Sequence, residues 1–284
     1  MAVEHLYLSP HLDDAILSCG GLIYAQRQAG ERVSVLTLCA GSPEQGALST
    51  LAQEYESAWS KTGDGLARRR AENAGILSDW GVQSWESNTP DAIYRAAGEA
   101  FYYKTRTDLF REPHPRDASS LLPIWEARVK QLGVGAPSTL LYAPLGIGGH
   151  VDHEITRRLG QLMGEAGWQV WFYEDYPYLE LEPDGVAAAQ CRFGDRNWTS
   201  KVTPINAQAK VEAVRGYRTQ IERIFGNETE LVHRVKGFTA ETACAVNSTE
   251  RVRRGLAPSG LRLRIWRRVL GYHAHAERLW SWSR

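Results

Sequence analysis

The chain has 284 residues, 43% of them hydrophobic and 23% charged. That composition excludes a disordered polymer and leaves ample length for a buried core. Lys+Arg and Asp+Glu balance at 33 each, for a formal net charge of zero, which disfavours a generally basic nucleic-acid binder.

No run approaches the 18 apolar residues of a membrane-spanning helix. The opening Met-Ala-Val-Glu-His-Leu lacks a basic start followed by an apolar stretch, so no secretory leader is expected. The four cysteines, Cys19, Cys39, Cys191 and Cys244, form no CxxC pair and read as free thiols in a reducing compartment. The expected location is cytoplasmic.

The first half alternates strand and helix patterns. Val3–Ser9 reads as a buried strand, Asp13–Gln28 as a helix closed by Gly30, and Arg32–Cys39 as a second, β-branched strand. Gly41–Gly65 reads as a long loop with some helix, Leu66–Trp80 as a helix, and Val82–Trp85 as a weaker strand. Asn88–Asp117 has little periodicity and reads as an irregular lid or insertion. Ser119–Leu132 reads as a helix capped by Ser119 or Ser120. Ser138–Ala143 is a strand, Asp152–Ala166 a helix and Gln169–Tyr173 another strand. Short connections between alternating β and α predict a parallel sheet covered by helices. The second half is less regular: Ala207–Tyr217 and Glu228–Val235 read as helices. The 35 residues from Glu250 carry nine arginines and two glutamates, a solvated face or a surface for an anion or partner. A single domain is expected, with a regular core over 1–178 and an extension over 179–284.

Ligands of open α/β sheets gather at the carboxyl ends of the strands. Two polar clusters fall there: Ser9-Pro10-His11-Leu12-Asp13-Asp14 after the first strand, and Gly148-Gly149-His150-Val151-Asp152-His153 after Ser138–Ala143. If the first and fourth strands are neighbours, the clusters meet. A catalytic zinc takes about three protein ligands and keeps one position for water. His11 and Asp14 converge from one turn, and His153 offers a third ligand from the other. Asp13 is then free to act as a base and His150 to stabilise or protonate. Capping carboxylates and surface histidines are the alternative reading of each cluster alone; their conjunction favours metal.

With Pro10-His11-Leu12-Asp13-Asp14 and His150-Val151-Asp152-His153 in place, the sequence resembles the LmbE-like family, also called PIG-L or GlcNAc-PI de-N-acetylase. Arg68-Arg69-Arg70-Ala71-Glu72, Lys210–Gln220 (KVEAVRGYRTQ) and Ala276-Glu277-Arg278-Leu279-Trp280 extend the similarity. Leu12, Ala15 and Val151 depart from the common motif residues without removing a ligand. The resemblance implies a Rossmann-like α/β fold with helices on both faces of the sheet. It also implies a zinc-dependent N-deacetylase of N-acetylglucosamine-type sugars or sugar conjugates. In that assignment His11, Asp14 and His153 hold the metal and Asp13 is the general base. His150 stabilises the oxyanion as a cation, and Asp152 orients His150. Ferrous iron suits the same donor set.

Candidate substrate contacts are Arg68, Asp91 and Arg95, with Glu174 and Asp175 after the strand Gln169–Tyr173. These are groups that hydrogen-bond hydroxyls. Trp125, Trp168 and Trp171 read as core or helix face, Trp85 and Trp198 as exceptions. The expected partner is a small N-acetylated sugar, with no nucleic acid and no membrane span; a homo-oligomer is compatible with the sequence. The alternatives are an amidase for a larger N-acyl group and a non-catalytic sugar-binding protein on the same fold. A nucleotide-binding module is disfavoured, since no GxGxxG follows the first strand.

Overall fold

A computed structural model describes residues 4–43, 48–132, 139–182, 184–253 and 274–283, with backbone alone at 245–253 and 283. The elements, in chain order, are β1 (Glu4–Ser9), α1 (Asp14–Gln28), β2 (Arg32–Thr37), α2 (Thr50–Trp59), α3 (Gly65–Asp79) and β3 (Gln83–Glu86). A hairpin of β4 (Ala96–Ala97) and β5 (Ala100–Phe101) follows, flanked by 3-10 turns at Ala92–Tyr94 and Arg106–Phe110. Then come α4 (Pro115–Gln131), β6 (Thr139–Pro144), α5 (Val151–Glu165), β7 (Gln169–Tyr173), α6 (Tyr178–Leu181) and α7 (Gly185–Cys191). The chain continues with β8 (Asn197–Pro204), α8 (Ala207–Gly216), α9 (Arg218–Phe225), α10 (Glu228–Arg253) and β9 (Ala276–Ser283).

Seven strands form one sheet in the order β3-β2-β1-β6-β7-β9-β8. The first five are mutually parallel; β9 joins β7 antiparallel, and β8 joins β9 antiparallel. The expected parallel sheet with helices on both faces is present as a five-strand core, and the less regular second half adds an antiparallel edge to it. β1 lies between β2 and β6, so the strand order reverses there. In open α/β sheets, ligands gather outside the carboxyl ends of the strands that flank such a switch point, here β1 and β6.

Side chains alternate across each strand. Tyr7, Val35, Tyr142 and Tyr173 face one layer, built from α1, α3, α8, α9 and α10. Leu6, Leu8, Leu36, Leu141 and Phe172 face the other, built from α4, α5 and α7. Leu6 and Leu8 are fully buried, each contributing about 1.5–3 kcal/mol of hydrophobic burial. A third cluster, from Leu51 and Trp59 of α2 through Ile93, Tyr94, Tyr103 and Leu109, caps the carboxyl end of the sheet. The region expected as an irregular lid is thus a packed layer of short turns and a hairpin.

Several boundaries moved for local reasons. Helix α4 begins at Pro115, with His114 at its N-cap, because a proline at the first position is pre-set for helix. Ser119 and Ser120, expected as caps, lie inside that helix and donate back to the carbonyls of Arg116 and Asp117. Helix α2 occupies part of the expected loop; Ser49 caps it, accepting from the Ala52 amide. Helix α10 runs well past Val235. Trp198 packs against Phe172, Phe193 and Trp282. Most of the arginine-rich segment falls outside the described residues.

The second half is tied to the first by a buried ion pair. Lys210 of α8 is fully buried, and its Nζ lies 2.6 Å from Glu277 Oε1 of β9 and 3.1 Å from the Ser18 carbonyl of α1. Glu277 also accepts the α1 amides of Gly21 (3.0 Å) and Leu22 (2.7 Å). Glycine at position 21 also lets the connection from β8 to α8 approach α1, because a Cβ there would sit 2.5 Å from the Ile205 side chain. Helix α1, which carries Asp14 at its start, is therefore clamped from both α8 and β9.

Candidate active site

The turn after β1 is folded by Ser9, whose hydroxyl donates to the His11 carbonyl and accepts from the Ala15 amide. The His11 amide donates to Asp14 Oδ2 at 2.8 Å, drawing that carboxylate back over the turn. The loop after β6 reaches its helix through Gly146, Gly148 and Gly149, all at positive φ. At Gly148 (φ +83°) a Cβ would also strike Tyr178 at 2.6 Å. Only glycine accommodates both, and the loop then delivers His150 to the N-cap of α5.

The two loops meet on one oxygen. Asp14 Oδ2 is 3.0 Å from His11 Nδ1 and 3.2 Å from His153 Nε2. The remaining nitrogen of each imidazole faces a carboxylate: His11 Nε2 lies 3.0 Å from Asp152 Oδ2, and His153 Nδ1 lies 2.6 Å from Asp175 Oδ1. The His150 ring stands edge-on to His11, with centroids 5.0 Å apart.

Burial and close charges set the protonation states. Burial works against ionisation of Asp14, yet the neighbouring His153 and His11 hold its carboxyl well below the usual range. Burial opposes charge on His153 as well, but Asp14 and Asp175 carry it up to about 9. His11 is likewise raised against burial, by Asp91 and Asp14. His150 goes the other way: burial, followed by the nearby His11, pushes it well below its ordinary value. Its Nδ1 accepts the Asp152 amide at 3.3 Å, which leaves Nε2 as the protonated nitrogen. Both influences favour the neutral imidazole at His150, where a cation was expected, as suits a ring at the positive end of a helix.

The donor set fits a divalent ion. His153 Nε2 is buried and makes no hydrogen bond, although Asp14 is close. Ligand atoms of His11, His150 and His153 all lie within 4.8 Å of one another. Two imidazoles and a carboxylate are zinc donors, and a ligating histidine ordinarily has a carboxylate behind its second nitrogen. His11, Asp91 and Asp152 form a second group of this kind, but Asp152 already accepts from Arg95.

Asp13 occupies the N-cap position of α1, yet its side chain makes no capping bond. The carboxylate is buried at the cluster instead, 3.4 Å from Arg69 Nη2. Burial raises its pKa, and Arg69 opposes that rise. Arg69 stacks over the Trp59 ring, and Tyr217 fixes the same helix by donating to Asn73.

The other expected contacts fall elsewhere. The Arg68 side chain is 55% exposed and pairs with Asp64; its neighbour Arg69 is the one facing the cluster. The signal was helical phase, since Gly65, Arg69, Asn73, Ile76 and Leu77 form the buried stripe of α3. Asp91 caps a 3-10 turn and keeps Oδ2 3.6 Å from His11 Nε2. Asp175 stands behind His153. Glu174 faces away from the cluster and accepts from Arg278 Nε (2.5 Å) and Trp280 Nε1 (2.8 Å), which joins β7 to β9. Asp152 turns its carboxylate toward His11 and Arg95; its link to His150 is through the backbone amide. Phe110, unremarked in the sequence, is 45% exposed with its ring 5.4 Å from that of His150. Tyr178 lies 5.3 Å from the His153 ring on the same rim.

The sequence matches the PIG-L family, described as GlcNAc-PI de-N-acetylase, over residues 6–163, a span that contains both loops. The chain belongs to that family. This PIG-L chain is 30% identical over 237 residues to 2'-N-acetylparomamine deacetylase of Niallia circulans, covering 79% of the chain and 83% of that relative. It is 30% identical over 182 residues to 2'-N-acetylparomamine deacetylase of Streptomyces fradiae, covering 61% and 57%. Among solved structures, the zinc-inhibited form of teicoplanin deacetylase Orf2 superposes with a TM-score of 0.73 at 23% identity, over 99% of this PIG-L chain and 98% of the other. That likeness is one of fold.

Proposed function

We propose that this chain is a metal-dependent hydrolase that removes an N-acetyl group from an amino-sugar unit of a sugar conjugate. The observation that carries the reading is the convergence of His11, Asp14 and His153 on one point, with the buried, non-capping Asp13 beside it. Membership in the PIG-L family and the deacetylase relatives support the reaction class. The zinc-inhibited structural neighbour and the nitrogen-rich donor set support zinc, with ferrous iron the other ion these donors suit.

His11, Asp14 and His153 are the residues that would hold the ion. Bound there, a divalent ion supplies Lewis acidity and acidifies water at the site. Asp152 and Asp175 orient the two imidazoles from behind. Asp13 takes the proton of the attacking water as its oxygen adds to the amide carbon. It returns that proton to nitrogen as the C–N bond breaks, so the products are acetate and a free amine. Arg69 opposes the upward shift that burial gives the Asp13 pKa, which favours the ionised, basic form of the carboxylate. His150 donates its Nε2 proton toward the developing oxyanion, a contribution of about 3–4 kcal/mol for one well-aimed donor. Phe110 and Tyr178 present apolar ring surface at the rim, which suits the C–H face of a pyranose.

No described helix is long and apolar enough to cross a membrane. All four cysteines are free thiols, which supports a reducing, cytoplasmic setting.

The reading is tested by metal content and amine release. Wild type is expected to carry about one zinc or iron per chain, and His153→Ala to lose it. Asp13→Asn should keep the metal and lose turnover on N-acetylated amino-sugar conjugates. Undiminished turnover by Asp13→Asn would remove the mechanism.

A further inference from the structure

Arg95 was expected to hydrogen-bond substrate, and its geometry rules that out. A guanidinium carries five N–H donors in a fixed fork. Here Nε donates to Asp117 Oδ2 at 3.1 Å. Nη2 donates to Asp117 Oδ2 at 2.9 Å and to Asp152 Oδ1 at 2.5 Å. Nη1 donates to the Pro90 carbonyl at 3.1 Å and lies 3.7 Å from Cys39 Sγ. All five donors are met by protein, and the residue is buried. No donor remains for a sugar.

We infer that Arg95 is a positioning residue for His11, acting through Asp152. Asp152 is fully buried, and its two oxygens are divided between two tasks. Oδ1 takes Arg95. Oδ2 takes His11 Nε2 at 3.0 Å and the Ala92 amide at 3.1 Å. The guanidinium fixes the plane of the carboxylate and supplies its countercharge. The fixed carboxylate accepts the proton on His11 Nε2, and the lone pair of Nδ1 is thereby left facing Asp14, where the ion is proposed to sit. The far side of the fork is equally fixed. Tyr103 donates to Asp117 at 2.8 Å, and the His114 amide donates to the Tyr103 hydroxyl at 3.1 Å. The relay therefore runs from the segment between β5 and α4, through Asp117, Arg95 and Asp152, to His11. It explains why that segment packs as an ordered layer against the carboxyl end of the sheet. Within a sheet-end site built on two loops, it supplies a third support.

This inference rests on the proposed metal site, and the experiment separates the two. Zinc affinity is measured on the full chain, stripped of metal, by competition with a chromophoric chelator. Arg95→Met is expected to weaken zinc binding about 10- to 100-fold, the range for losing an outer-sphere partner of a ligating histidine. Asp152→Asn should give a similar loss. Because the relay is serial, the double variant should bind within about threefold of the weaker single variant. Arg95→Lys keeps the charge without the fork and is expected to recover only part of the loss. Should Arg95→Met fail to fold by circular dichroism, Arg95→Lys carries the test alone. A purely structural Arg95 would lower the melting temperature and leave zinc affinity unchanged. Wild-type affinity in Arg95→Met, or in Arg95→Lys where that stands in, overturns the relay, as do losses that multiply in the double variant. A wild-type chain that takes up no zinc overturns the metal site itself.

Discussion

Replacing Lys210 by methionine removes an ammonium from a fully buried site. The wild-type Nζ lies between Glu277 Oε1 and the Ser18 carbonyl, and both charged residues are buried. Methionine fills nearly the same volume, so packing is conserved while the charge goes. Glu277 is left buried and anionic with two backbone amides as partners, and the Ser18 carbonyl loses a donor. Removing one member of a buried pair costs about 3–5 kcal/mol. A chain of this length gains roughly 0.6 kcal/mol/K of entropy at its unfolding midpoint, so the expected fall in Tm is about 5–8 °C. Thermal unfolding followed by circular dichroism, with urea titration as a second measure, reads the effect. The double variant Lys210→Met/Glu277→Gln buries no charge, and the amide oxygen still accepts a backbone proton. It should lie within about 1–2 kcal/mol of wild type. The reasoning fails if Lys210→Met alone costs less than about 0.5 kcal/mol. It fails equally if the double variant is as unstable as the two single losses added together.

Three further outcomes are expected. Removing Arg69 as methionine takes a cation from beside Asp13, whose pKa burial has already raised. The pKa therefore rises further, and the acid limb of the kcat/KM profile moves to higher pH; an unmoved limb excludes Asp13 as the base. Phe110→Ala deletes an exposed ring beside His150, worth about 0.5–1.5 kcal/mol of stacking. KM for a sugar conjugate should rise about 2- to 10-fold with kcat retained, and an unchanged KM removes Phe110 from the substrate rim. Chelation should abolish turnover, and zinc at about 100–1,000 times its Kd should add about 3–4 kcal/mol of stability. A Tm indifferent to zinc would contradict binding by the folded state.

What was legible in the sequence followed how locally the information is stored. Strands β1, β2, β6 and β7 are short apolar runs with punctuating Pro and Gly, and their positions were readable to within a few residues. The antiparallel pair was not. β8 lies at a sheet edge and is half polar, while its partner β9 follows some 70 residues later, after helices α8, α9 and α10. The candidate site was readable because His11, Asp13 and Asp14 share one turn and His150 and His153 another. Roles that depend on which donors are already satisfied were hidden. Arg95, Glu174 and Asp175 have the right chemistry for hydroxyls, and only three-dimensional neighbours show that protein groups already claim them. Lys210 and Glu277 stood out through the family resemblance, but nothing in either segment says that they touch.

The position of β9 carries a consequence for biosynthesis. Among the described residues, β9 is the only sheet neighbour of β8, although β8 is translated long before it. Until residues 276–283 emerge, β8 has no strand to bind, Lys210 has no counterion and the outer edge of β7 stays open. A ribosome that stalls after residue 253 has already translated every residue proposed to hold the ion. It has not translated the strand that clamps α1, the helix that begins at Asp14. A chain cut there would therefore hold the proposed ion ligands without the strand that ties α1, α8 and β7 together.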